Sequence, residues 1–163
     1  MHGRMATAAP ARLSWGRIIV QGLVAGIVGG ALVDLYLAYT PLASQHPGIL
    51  GIWTWVASTV GGKAMFANPN APWIGLGVHA LTSIVWAGAY AYVAAQQAFV
   101  RRRWYVSGPV YGLVVYLIMQ LVLLVSGNFE YPHSPNDFVS ALVAHAIFFG
   151  LPVAFVVNAL DRG

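Results

Sequence analysis

Three residues with chemistry to offer stand inside long apolar runs: Asp34, His79 and His145. His79 falls about six residues into the run that begins at Trp73, and His145 about seven into the run that begins at Phe138. If both runs are helices crossing a bilayer in the same direction, the two imidazoles lie at nearly one depth, roughly 9–11 Å below one membrane face. Asp34 approaches that depth from the far end of the first apolar run. Two histidines facing each other at one depth suit axial ligation of a haem b. They also suit a divalent metal with Asp34 as third ligand, or a proton-binding cluster. A structural role stands beside these, because an intramembrane histidine also fixes helix packing by bonding a backbone carbonyl or a tyrosine. Tyr36, Tyr90, Tyr111 and Tyr116 are available as partners. Asp34 has two readings of its own: a functional group facing the core, or a carboxylate reaching the headgroups about one and a half turns before Tyr39.

Composition decides what kind of element holds these residues. Of 163 residues, 59% are hydrophobic and 7% charged, against about 25% charged in soluble domains. The chain is therefore expected to be an integral membrane protein of one compact, all-α four-helix bundle. Spans are expected at about 15–39, 73–98, 108–126 and 138–160, after a polar tail over residues 1–14. A basic start followed by an apolar run also describes a signal peptide, but this run is long for one. Ser14 stands where a cap for the first span is needed, and Ser134, Pro135 and Asp137 make a helix start for the fourth. Ser107-Gly-Pro opens the third span, where Gly112, Tyr116 and Gln120 share one inward face. Pro152 removes a donor and crowds the carbonyl of Phe148, so a kink is expected there.

Between the first two spans, Ile49, Ile52, Trp53, Val56 and Val60 recur at helical spacing. They predict a short interfacial helix in the first outer loop, with Trp53 and Trp55 at headgroup level and Gly61-Gly62 as its end. A partial re-entrant insertion is the alternative. In the first span Gly22, Gly26 and Gly30 form a GxxxGxxxG row. Such a row is a groove that lets a second backbone come close, either within the bundle or in a homo-oligomer.

Arg4, Arg12, Arg17, Arg101, Arg102, Arg103 and Arg162 fall on one side of a four-span arrangement, and Lys63 alone on the other. The positive-inside rule then puts both termini in the cytoplasm, with His46, Glu130 and His133 outside. The basic residues are topology signals at span ends, so no nucleic-acid partner is expected; the lipid bilayer is. The chain has no cysteine, which removes thiolate metal sites and cysteine nucleophiles. It has no Walker loop, no dinucleotide fingerprint and no GxSxG, and Ser83, Ser126 and Ser140 have no nucleophile setting. Four short spans line too little pore for a channel in one protomer. GVHAL and LVAHAI form a faint internal echo around the two histidines, as a degenerate parallel repeat would.

GLVAGIVGGALVD, VHALTSIVWAGAY, GPVYGLVVYLIMQ and LVAHAIFFGLP, one from each span, resemble the YagU-like family of small bacterial inner-membrane proteins. The resemblance covers nearly the whole chain after Gly22. It implies a four-span inner-membrane protein that shares both histidine positions, with a link to acid tolerance and no catalytic residues to carry over. The chain departs from the family's best-known member in a shorter outer loop and in having no C-terminal extension. The functional expectation is a non-enzymatic subunit of a membrane complex or an envelope acid-stress component. A haem- or metal-binding electron-transfer bundle and proton-coupled transport by an oligomer are the alternatives.

Overall fold

The computed structural model describes residues 14–40, 48–127 and 135–162. Arg4, Arg12, His46, Glu130, His133 and Ser134 lie outside them. The described residues form helices α1 (Trp15–Ala38), α2 (Gly48–Gly61), α3 (Ala71–Gln96), α4 (Ala98–Arg102), α5 (Trp104–Val125), α6 (Pro135–Val143) and α7 (Leu151–Arg162). A 3-10 turn covers Lys63–Ala67, and a π-helical segment, Ala144–Gly150, joins α6 to α7. Trp15–Ala38, Ala71–Gln96, Trp104–Val125 and the continuous Pro135–Arg162 are each long and apolar enough to cross a membrane. At 22 to 28 residues they measure about 33–42 Å. The chain is an all-α, multi-pass membrane protein with a shorter helix between its first two spans.

α1 lies against α3 on one side and against the π segment and α7 on the other, while α5 packs on the π segment and α7. Close approach is bought by glycine on two seams. On α1, a Cβ at Gly22 would stand 2.9 Å from Gly88 Cα, one at Gly26 2.5 Å from Ile84 Cα, and one at Gly30 2.9 Å from Ser83 Oγ. The GxxxGxxxG row is therefore filled by α3 of the same chain. Between α5 and the fourth span, the space for a Cβ on Gly112 is taken by the carbonyl of His145, and that on Gly150 by the carbonyl of Gly108. Where α3 and α5 face each other, hydroxyls replace glycines. Tyr111 donates to the carbonyl of Trp86 at 2.6 Å. Ser107 donates to the carbonyl of Val100 at 2.9 Å, so Tyr90, 2.8 Å away, is the donor to Ser107.

The structure refines the sequence reading at the span ends and at Pro152. The third span starts at Trp104, with Pro109 inside the helix, because the Ser107 hydroxyl ties this first turn back to Val100. The fourth starts at Pro135, the helix start the sequence offered and three residues before the expected span; Asp137 is buried in its first turn. Ser14 is the N-cap of α1 through its carbonyl, 3.1 Å from the amide of Ile18, and its hydroxyl makes no capping bond. At Pro152 the backbone widens into the π segment: the amide of Leu151 bonds the carbonyl of Ala146, five residues back. The wider turn gives the proline ring, which has no N–H to donate, room against the preceding carbonyls.

Candidate functional site

Asp34 sits in the last third of α1 and is 6% exposed. Its carboxylate faces the core and not the headgroups. Oδ1 lies 2.9 Å from Nδ1 of His79, on α3, and Oδ2 accepts a hydrogen bond from the indole N–H of Trp53, on α2, at 3.0 Å. The His79 contact is an ion-pair approach with poor hydrogen-bond direction, since Oδ1 has no aligned donor among the described residues. A carboxylate buried this deeply is costly unless both oxygens are compensated. Here one oxygen has an indole and the other a titratable imidazole.

Local packing puts each group in place. The glycine row brings α1 onto α3, so Asp34, one turn beyond Gly30, meets His79, one turn before Ser83. Gly75 does the same for α2. The space its Cβ would need is taken by the carbonyl of Trp53, so α2 lies directly on α3. The Trp53 ring meets Trp73 with centroids 6.5 Å apart. Trp53, half-buried on α2, is through its indole the third member of this polar site. The expected face of α2 is also shifted. Ile52, Ala57 and Ser58 are buried, whereas Val60 is 65% exposed.

His145 falls in the π segment and bonds the carbonyl of Ala141, one turn back, through Nδ1 at 2.9 Å. A carbonyl only accepts, so Nδ1 carries the proton. The ring stands edge-on to Tyr116, centroids 5.1 Å apart. Tyr116 and Gly112 are buried, as their shared face suggested. The two histidines thus occupy different settings: His79 serves Asp34, and His145 serves its own helix and Tyr116.

This arrangement fits a proton site better than a three-ligand metal centre. With each Nδ1 engaged, Nε2 is the remaining nitrogen on each ring, which is the tautomer a metal ligand needs. However, no three His, Cys, Asp or Glu side chains converge as a metal-ligand set among the described residues. Asp34 is held by His79 and Trp53 and is not a shared third ligand with His145. Tyr36 and Phe148, on the turns next to Asp34 and His145, are stacked with centroids 4.2 Å apart.

At the opposite end of the bundle, Asp161 of α7 receives Arg17 of α1 at 3.4 Å and Arg101 of α4 at 3.0 Å. Gln21, buried near that end of α1, donates to the carbonyl of Val157 at 3.2 Å. Sequence reasoning missed these bonds and the Trp53–Asp34 bond, since helix periodicity carries no signal for partners on separate elements. No protein-family model matches the chain, and no curated protein and no solved structure gives a significant match.

Proposed function

We propose that this chain is a small non-enzymatic protein of a bacterial inner membrane, acting in the envelope response to acid, alone or as a subunit of a membrane complex. The observation that carries the reading is the buried Asp34–His79 pair. With the carboxylate ionised and the imidazole neutral, the pair holds a net negative charge in a low-dielectric core. Uptake of one proton would convert it to a neutral ion pair. An ionisable pair inside apolar spans is by default a functional site. The resemblance to the YagU-like family points the same way.

The orientation supports acid sensing from outside. Arg17, Arg101, Arg102, Arg103 and Arg162 share one end, and Lys63 lies at the other. By the positive-inside rule the arginine end is cytoplasmic. The Asp34–His79 pair then lies in the outer half of the bundle, beneath α2.

Trp53 supplies the test, because its indole reports directly on the carboxylate. Emission would be recorded for protein in nanodiscs between pH 8 and pH 4, for the parent and for Trp53→Phe, and subtracted. The difference spectrum is expected to change with pH in the parent and to lose that change when His79→Gln or Asp34→Asn is added. A difference spectrum with no pH dependence in the parent would overturn the proposal.

A further inference from the structure

We propose that the arginine end of the bundle binds an anionic phospholipid through its headgroup phosphate, held between Arg17 and Arg101. Arg17 is on the first span and Arg101 on the short α4 between the second and third, yet both reach the one carboxylate of Asp161. Each contact uses a single guanidinium nitrogen, at 3.4 Å and 3.0 Å. The rest of each donor fork remains for another acceptor. Their side chains are 62% and 44% exposed, against 22% for Asp161. The carboxylate is tucked behind two cations that face outward.

The surroundings select a lipid over a free anion. Arg102, Arg103 and Arg162 are at the same end, so the described residues there carry five arginines against one aspartate. Arg103 lies over the Phe99 ring, 5.3 Å from its centroid. Trp15 of α1 stacks on Tyr92 of α3 at 5.7 Å with the rings 15° from parallel, and both are exposed. Such a pair belongs at headgroup level. Further along α1, Ile19 and Leu23 are exposed apolar side chains, offering a surface for an acyl chain. Arginine's planar fork matches two phosphate oxygens, and basic clusters at span ends select anionic headgroups. A soluble phosphate would use only the cations; a phospholipid uses cations, aromatic belt and apolar flank together.

The test is native mass spectrometry of the full chain in detergent, after delipidation, with equimolar phosphatidylglycerol and phosphatidylcholine. Phosphatidylglycerol is expected to be retained preferentially. The double variant Arg17→Gln/Arg101→Gln should reduce that preference by about fivefold or more. Asp161→Asn removes the competing negative charge and should increase it, a gain that a misfolded variant would not produce. Equal retention of the two lipids by the parent, or no gain in Asp161→Asn, would overturn the proposal. So would displacement of the lipid by an equal concentration of inorganic phosphate, which would mark a simple anion site.

Discussion

Adding one methyl group at Gly26 should separate the first two spans. A Cβ there would stand 2.5 Å from Ile84 Cα, 2.7 Å from Ile84 N and 2.9 Å from the Ser83 carbonyl oxygen. Carbon atoms in contact sit about 3.5–4.0 Å apart, so α1 and α3 must move apart by about 1 Å. All three clashing atoms are backbone, so no rotamer change relieves them. Overpacking of this kind costs about 1–3 kcal/mol, and alanine's helical advantage over glycine returns about 0.5–1 kcal/mol. The net expectation for Gly26→Ala is a loss of about 1–2 kcal/mol. Gly77 has open space where its Cβ would go, so Gly77→Ala should gain about 0.5–1 kcal/mol. Reversible unfolding of the purified protein in mixed micelles, followed by circular dichroism, measures both. Equal stability of the two variants would refute the claim that the glycine row is the seam between α1 and α3. The same 1 Å matters to the site, because Asp34 and His79 sit on this seam.

Three further outcomes are expected. Gly75→Ala should push the Trp53 carbonyl off α3 and lift α2, seen as faster proteolysis near α2 in liposomes and altered Trp53 emission. His79→Ala should leave Asp34 Oδ1 without its imidazole neighbour and destabilise the fold by about 1–3 kcal/mol, while Asp34→Asn, which keeps an acceptor for Trp53 without the charge, should cost less in the same unfolding assay. Tyr111→Phe removes the 2.6 Å bond to the Trp86 carbonyl and should cost about 1 kcal/mol, read by the same unfolding titration.

The spans were legible because hydropathy over about 20 residues is a property of the sequence itself. Depth was legible too, since rise per residue is fixed; it placed Asp34 and His79 at one level. Which way Asp34 faces was not, because that depends on the rotation of α1, and the glycine row that sets the rotation fits a partner in the same chain or another. Trp53 shows the same limit more sharply. Its aromatic ring on a short amphipathic helix matches a headgroup anchor, and only the docking of α2 through Gly75 turns the indole toward the carboxylate. Pro152 announced a disturbance, but the π segment before it depends on what packs beside it. Here Gly108 and Gly112 let the widened backbone of Ala144–Gly150 come close.

Proton uptake tests the central claim most directly. Protein in detergent would be titrated between pH 8 and pH 4 with a calibrated base, and protons bound per chain compared for the parent and for the double variant Asp34→Asn/His79→Gln. The parent is expected to bind more protons per chain than the double variant, and Trp53→Phe as many as the parent. Identical uptake by the parent and the double variant would contradict the account and leave the pair as packing alone.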